Sequence, residues 1–163
     1  MTDFDSLYQR YAPQVHRFAL FLCGDASLAD DITSETFVRA WTSLGKIREA
    51  TVKSYLFTIA RNLYRDHLRR NKRLTGLEDS IPDSSPGIQA RAEHKAELAA
   101  VLAALHGLPE VDRAALLMRV QEEMPYEEIA HALELPVTTV KVKVHRARLK
   151  LMQLRSMNQE VRS

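Results

Sequence analysis

The sequence contains very little cysteine and glycine. A single cysteine, Cys23, among 163 residues excludes an intramolecular disulfide framework, and its place in the apolar run Phe18–Cys23 indicates a small buried side chain. Only five glycines are present, whereas Ala, Leu, Arg and Glu are abundant, which favours helices over sheets. We therefore expect an all-α protein.

Features that mark membrane proteins and common enzymes are also missing. No apolar run approaches the roughly 20 residues of a membrane span, and the acidic N-terminus does not have the pattern of a signal peptide. Gly-rich phosphate loops, paired-cysteine metal sites and nucleophile elbows are absent as well. We therefore expect a cytoplasmic protein that is not an enzyme, needs no cofactor or metal, has no small-molecule substrate and does not insert into a membrane.

The net charge of only +2 conceals an uneven distribution of charge. Residues 39–73 contain ten basic and two acidic residues, and residues 136–163 contain seven basic residues and one acidic residue. The segments before and between these blocks carry an excess of acidic residues. Two separated basic blocks indicate two surfaces that face polyanions.

Apolar residues at three- and four-residue steps predict three helices in the N-terminal half. The first covers residues 4–22, although Pro13 favours a kink or an early end. The second starts at Ser27 as its N-cap and continues to about Leu44. The third covers about residues 52–73. Cations spaced four residues apart on this third helix are expected to form one outward-facing stripe, which consists of Arg61, Arg65 and Arg69.

Residues 74–88 interrupt the helical pattern with two prolines, two glycines, three serines and three acidic residues. This composition is typical of a linker. We therefore predict two small helical domains, 1–73 and 90–163, joined by a flexible acidic linker over 74–89.

The second domain is predicted to contain a helix-turn-helix. Helices over about 90–106 and 110–121 come first. Residues 126–151 then read YEEIAHALELPVTTVKVKVHRARLKL, in which Tyr126–Leu133 form a helix and a three-residue turn begins at Glu134. A glycine with positive φ is preferred at that turn position, so Glu134 is a departure from the usual pattern.

The second helix of this motif begins near Val137 or Thr138 and has two different faces. Val140, Val144 and Ala147 fall on the inward face. The outward face combines hydroxyls and cations at Thr138, Thr139, Lys141, Lys143, Arg146 and Arg148. A helix docked in this way offers its N-terminal residues to the major groove, where Lys and Arg bind phosphates or guanine. The simpler alternative is a solvated amphipathic helix, but the three-residue turn and the small Ala130 favour the DNA-binding motif.

Both halves of the chain resemble the sigma factors of bacterial RNA polymerase. The segment YEEIAHALELPVTTVKVKVHRAR resembles their C-terminal DNA-reading region, and LPEVDRAALLM is similar to the helix that precedes it. LADDITSETFVRAW resembles the helix that binds the polymerase clamp, and SYLFTIARNLYRDHLRRNKR resembles the helix that meets the −10 promoter element. The likeness covers nearly all of residues 4–154. Since the extra domains of primary sigma factors are absent, the resemblance is to the small extracytoplasmic-function (ECF) class.

This resemblance implies partners and roles for particular residues. It implies binding to core RNA polymerase through Asp30, Asp31, Glu35, Phe37, Arg39 and Trp41, of which Phe37 and Trp41 fit the core of the domain equally well. It implies contacts with the −10 element through Arg61, Asn62, Arg65, Arg69 and Arg70, together with a loop around residues 48–54 that handles an unstacked base. It assigns the −35 element to the six outward positions named above, and it implies control by an anti-sigma factor and nucleoid association when active.

Three further departures from the family pattern bear on promoter choice and strength. Val142 stands where a small polar residue is usual, Thr33 stands where the clamp-binding helix often has an amide, and Phe57 stands where Trp is frequent. Three other interpretations compete with a sigma factor. The Glu128–His131 pair has the spacing of a di-iron bundle, but no second Glu-x-x-His pair accompanies it. A simple repressor or activator leaves the first basic block without a role. A sigma-like decoy is expected to lose the basic stripes.

Overall fold

The computed structural model describes residues 3–43, 52–75 and 93–162, which form seven α-helices and no strand. In chain order these are α1 Phe4–Cys23, α2 Ala26–Thr42, α3 Val52–Thr75, α4 Glu93–His106, α5 Glu110–Leu116, α6 Tyr126–Leu133 and α7 Val137–Arg162. A π-helical turn, Leu117–Gln121, follows α5. The predicted all-α class is confirmed. None of these helices is both long and apolar enough to cross a bilayer.

The junction between α1 and α2 is set by a glycine and an aspartate. Gly24 adopts the left-handed conformation, with φ of 72°, and ends α1. Asp25 caps α2, because its carboxylate accepts hydrogen bonds from the backbone N–H groups of Ser27 and Leu28. The predicted N-cap at Ser27 is therefore wrong by two residues. The break that Pro13 favours is also absent, since α1 continues through it as one helix.

Helices α1, α2 and α3 pack around a shared apolar core. Phe18 of α1 and Phe57 of α3 stack with ring centroids 4.7 Å apart, and both are fully buried. Cys23 is buried as predicted. Each large side chain removed from water contributes about 1.5–3 kcal/mol. This packing fixes the orientation of α3 and therefore the directions in which its arginines point.

Helices α6 and α7 follow one another across a short turn at residues 134–136, the order predicted for a helix-turn-helix. In the turn, Glu134 has a φ of 56°, the left-handed conformation that glycine prefers, so the expected strain is present. It costs on the order of 1–2 kcal/mol. The Leu135 N–H donates to the Ala130 carbonyl at 3.0 Å and closes the turn. The predicted inward residues of α7 (Val140, Val144 and Ala147) are all buried, which directs the cations of α7 away from the core.

The two halves of the molecule pack against each other. Their buried apolar side chains form one continuous cluster. At the end of α1, a Cβ on Gly24 would lie 2.3 Å from Nε2 of His106, so this position also requires glycine for close approach between the halves. The predicted linker lies almost wholly outside the described residues. Its predicted start is two residues early, because α3 continues to Thr75.

Candidate nucleic-acid and polymerase-binding surfaces

The N-terminal half of α7 presents cations on both sides of an exposed strip. Thr138, Val142 and His145 are exposed and fall along the middle of this strip, because a helix turns about 100° per residue. Val142 is 61% exposed. Lys143 and Arg146 lie on the side next to α5.

The cations on the α5 side of α7 are held by a buried carboxylate. Asp112, in the first turn of α5, is 1% exposed. Arg146 donates to it from Nε at 2.9 Å and from Nη2 at 3.0 Å, while the Lys143 ammonium lies 3.5 Å away. The Arg146 side chain nevertheless remains 58% exposed. This predicted site residue is therefore both anchored and accessible.

The cations on the α6 side of α7 are held more loosely. Lys141 is exposed, and its ammonium lies 5.5 Å from the centre of the Tyr126 ring. Arg148 is exposed too. Within the described ranges, no carboxylate lies within ion-pair distance of either cation. Of the remaining predicted residues, Thr139 is half-buried.

The cations of α3 are arranged differently from the prediction. Arg61 is 7% exposed, so the expectation that it forms an outward stripe with Arg65 and Arg69 is wrong. Its guanidinium donates from Nε and Nη2 to the two carboxylate oxygens of Glu110 on α5, at 2.8 and 2.9 Å. Arg65 lies 3.9 Å from the same carboxylate. The reason is tertiary, because the other half of the chain packs directly over this part of α3.

The remaining α3 residues assigned to the −10 element point outward. Asn62 and Arg70 are exposed, and Arg69 is exposed and forms an ion pair with Asp66. The predicted base-handling loop around 48–54 lies outside the described residues except for its last three positions. One of these, Ser54, is buried and donates from its hydroxyl to the Glu128 carbonyl of α6 at 3.2 Å. This end of the loop is thus also in contact with the second half.

The two aromatic residues of α2, the helix assigned to polymerase binding, lie in different environments. Phe37 is 2% exposed and belongs to the core, whereas Trp41 is 61% exposed. Trp41 packs edge-on against Phe4 of α1 with ring centroids 4.8 Å apart, so its ring is held in place while its outer surface is open. The sequence left open whether these two side chains lie in the core or on the surface. In the structure Phe37 lies in the core and Trp41 lies on the surface.

The acidic residues of α2 lie on its outer surface. Asp30 and Asp31 are exposed, and the Asp30 carboxylate lies 2.8 Å from Nε2 of His16. Glu35 and Arg39 form an exposed ion pair one helical turn apart, at 3.4 Å. All four charged side chains are accessible to a partner.

Sequence reasoning missed the residues that join the two halves. Glu122, which follows the π-helical turn, has a fully buried side chain and accepts two hydrogen bonds from Arg17 of α1, at 2.9 and 2.7 Å. The Glu122 carboxylate raises the pKa of Arg17 above its ordinary value. In the second half, the guanidinium of the buried Arg113 donates to the Tyr64 hydroxyl of α3 at 3.2 Å. The charge blocks offered no signal for these contacts, because Arg17 and Arg113 both lie in segments in which acidic residues predominate.

No group of three or more His, Cys, Asp or Glu side chains suited to a metal ion occurs within the described ranges.

Comparisons with known proteins match the chain in two segments. Residues 7–74 match the Sigma-70 region 2 family, and residues 98–151 match the Sigma-70 region 4 family. The first segment contains the cationic face of α3, and the second contains the helix-turn-helix. The two matches occur in the order predicted from the sequence.

Whole-chain relatives and solved structures agree with these segments. The chain is 33% identical to the ECF RNA polymerase sigma factor SigM of Bacillus subtilis, covering 96% of this chain and 98% of that protein. It is 34% identical to the ECF sigma factor EcfG of Rhodopseudomonas palustris, covering 87% and 79%. The sigma factor RpoE of Bartonella quintana, solved in complex with the anti-sigma factor NepR, superposes with a TM-score of 0.83 at 25% identity, covering 96% of this chain and 98% of that one. CnrH, solved with the cytosolic domain of CnrY, gives 0.73 at 26% identity, covering 94% and 88%. The chain belongs to the family of ECF RNA polymerase sigma factors.

Proposed function

We propose that α7 and α3 bind different promoter elements through their cations. Helix α7 reads the −35 element as duplex, and α3 binds the −10 element as it opens. The observation that carries this proposal is the geometry of α7. An exposed strip at its N-terminal half is bordered on both sides by cations, which is the arrangement a recognition helix needs in the major groove.

On α7, the cations and the middle strip have different tasks. Lys141, Lys143, Arg146 and Arg148 border the strip and suit the phosphates on either side of a groove, or a guanine at its edge. Thr138 and Thr139 lie at the start of the helix, where side chains come closest to base edges. Val142, in the middle of the strip, suits the methyl group of a thymine rather than a hydrogen bond. The departure from the family pattern at this position therefore alters the preferred base.

On α3, the exposed Asn62, Arg65, Arg69 and Arg70 are available for the opened −10 strand. Arg61 becomes available only when its ion pair with Glu110 opens. The bidentate geometry of that pair supports an anion-binding role for Arg61, since a phosphate has the same two-oxygen geometry as a carboxylate. Stacking and cationic contacts of this kind suit a single strand whose bases have left the duplex.

The exposed surface of α2 is proposed to bind core RNA polymerase through Asp30, Asp31, Glu35, Arg39 and Trp41. A large, exposed and rigidly supported indole is a typical anchor of a protein interface. Trp41→Ala is expected to weaken core polymerase binding about tenfold, and the loss of its contact with the Phe4 ring should lower stability by no more than about 1.5 kcal/mol. Phe37→Ala is the matched variant, and it is expected to lower stability by about 3–5 kcal/mol because it leaves a cavity. Equal binding by Trp41→Ala and the unchanged protein would remove Trp41 from the interface.

We also propose control by an anti-sigma factor. The sigma factor RpoE of Bartonella quintana is solved in complex with the anti-sigma factor NepR, and its superposition covers almost the whole chain. The proposed working state is a non-enzymatic complex with polymerase at promoter DNA in the cytoplasm. Its proposed domains are those expected from the sequence, 1–73 and 90–163, except that α3 continues to Thr75 and so takes up the first two residues of the predicted linker over 74–89. The two matched family segments support this division.

In-vitro transcription with bacterial core polymerase on a promoter library tests the proposal. The full-length chain is expected to produce start sites that core polymerase alone does not. A variant with Lys141, Arg146 and Arg148 changed to Ala should lose them. A control with Arg10 and Arg155 changed to Ala removes exposed charge outside both faces and should keep them. Binding of the free chain to duplex DNA without any new transcript would favour a repressor instead.

A further inference from the structure

Asp112 is a buried carboxylate with no role in the functions described so far. A carboxylate that is removed from water needs cations or hydrogen-bond donors around it. For Asp112 these come from α7, where Arg146 supplies two hydrogen bonds and Lys143 a nearby ammonium. Two cations around one carboxylate leave a net positive charge at this edge of α7, so Asp112 does not prevent an approaching phosphate from binding there.

The geometry of this pair leaves one side of the Arg146 guanidinium free. A guanidinium carries five N–H groups in a rigid planar fork. Its Nε and Nη2 edge faces Asp112, and the opposite Nη1 and Nη2 edge is not used by that contact. With the side chain 58% exposed, this second edge can reach a ligand. It has the donor spacing that matches the O6 and N7 acceptors of guanine.

The cations on the α6 side of α7 are not oriented in this way. Lys141 and Arg148 have no carboxylate partner in the part of the chain that the structure describes, so their heads are free to follow a phosphate backbone of any sequence. Arg146 has already lost rotational freedom to Asp112, so less is lost when it binds. A cation with a fixed direction distinguishes base edges, whereas one that moves freely does not.

We propose that Asp112 is a positioning residue that sets the sequence specificity of −35 recognition by fixing the plane of the Arg146 guanidinium. This inference rests on the proposed role of α7 in reading duplex DNA. It assigns to α5, a helix outside the helix-turn-helix, a direct influence on which promoters are chosen.

A double-mutant cycle with a selection readout tests this inference. Holoenzyme is assembled from the full-length chain and bacterial core polymerase, and it selects from duplex promoter fragments with a randomised −35 segment. Asp112→Asn is expected to bind the preferred fragment about tenfold less tightly, within the range for one bidentate base contact. It should lose preference at one or two base pairs while binding non-preferred fragments as before. A purely structural role would lower stability without changing the selected sequence.

The second mutation of the cycle identifies the residue through which Asp112 acts. In an Arg146→Ala background, Asp112→Asn should have no further effect on binding, because the group it positions is gone. In a Lys141→Ala background, the matched control, its full effect should remain. Unchanged sequence preference in Asp112→Asn, or an equal loss in both backgrounds, would overturn the inference.

A third variant keeps the test decisive if Asp112→Asn does not fold. Arg146→Lys leaves Asp112 paired and preserves the charge but removes the planar fork. It should lose the same base preference while keeping the salt dependence of the unchanged protein. Retained preference would overturn the inference. If the unchanged holoenzyme selects no −35 sequence at all, the proposed function of α7 fails as well. This outcome distinguishes failure of the proposed function from failure of the inference about Asp112 alone.

Discussion

Two carboxylates that lie two residues apart on α5, Glu110 and Asp112, each pair with one arginine, the first with Arg61 of α3 and the second with Arg146 of α7, with different consequences. Glu110 belongs to the other half of the molecule from its partner, Arg61, and the contact leaves Arg61 buried. Asp112 belongs to the same half as its partner, Arg146, which stays 58% exposed. In these two pairs, the carboxylate from the same half leaves its arginine accessible, whereas the carboxylate from the other half belongs to the packing that buries Arg61. If α7 and α3 bind promoter DNA as proposed, Arg146 is accessible as it stands, whereas Arg61 becomes accessible only when its pair with Glu110 opens.

The largest effect is expected from breaking the buried pair on α3. Arg61→Ala leaves Glu110 without its main partner in a site that water reaches poorly, and should lower the free energy of unfolding by about 2–3 kcal/mol. Arg69→Ala, which removes an exposed cation from the same helix, should cost less than about 0.5 kcal/mol. Urea unfolding of the two variants measures the difference. Equal midpoints would show that the Arg61 pair does not hold the halves together.

A smaller effect is expected from removing the charge of Glu110 alone. Glu110→Gln weakens the contact over α3 and should raise the affinity of the free protein for non-specific duplex DNA about fivefold, a typical coupling between two sites. Asp112→Asn should not raise it, since its partner is already exposed. Glu127→Gln removes the same charge from an exposed position and is the control in a fluorescence anisotropy titration. If Glu127→Gln raises the affinity as much, Arg61 is not being released.

The cations without a fixed direction provide a third comparison, within α7 itself. Lys141→Ala and Arg148→Ala should each reduce the slope of log affinity against log salt by about 1, because each is expected to release one phosphate contact. Their losses should be similar for all −35 sequences, unlike those of Arg146→Ala. Holoenzyme binding across a salt series measures this. Arg155→Ala, further along α7, is the control and should leave the slope unchanged. If Lys141→Ala loses more affinity for some −35 sequences than for others, the distinction between oriented and unoriented cations is wrong.

The smallest effect is expected at the middle of the recognition strip. Val142→Ser exchanges an apolar contact for a hydroxyl and should change affinity by less than about threefold, while shifting the preference at one base pair away from thymine. Selection from the randomised −35 pool measures this shift. Val120→Ser, an exposed valine outside α7, should select the same sequences as the unchanged protein. An unaltered preference in Val142→Ser would place this side chain away from the bases.

Local patterns in the sequence were sufficient to predict the helices and the residues on the buried face of α7. The inward positions Val140, Val144 and Ala147 follow from the helical period, and the strained turn at Glu134 follows from its place in the motif. Small errors arose where two local signals competed. Asp25 rather than Ser27 caps α2, since either side chain can accept the first free N–H groups and the shape of the preceding turn decided between them.

The exposure of side chains that border the other half could not be predicted in the same way. The spacing of Arg61, Arg65 and Arg69 predicts one stripe, but the period of a helix does not say what covers each end of that stripe. Phe37 and Trp41 fit core and surface equally in the sequence, and their separation depends on how α1 crosses α2. Such facts depend on residues far apart in the chain, which local periodicity does not encode.

The helical class, the helix-turn-helix and the family can be predicted from the amino-acid sequence, because they depend on short-range spacing and on motifs that are recognisable in one dimension. Which charges are accessible depends on how the helices pack. The pairs that join Arg61 to Glu110, Arg146 to Asp112 and Arg17 to Glu122 form between residues distant in sequence. Their partners are selected by packing, since a buried carboxylate must take whichever cation the surrounding helices bring within reach.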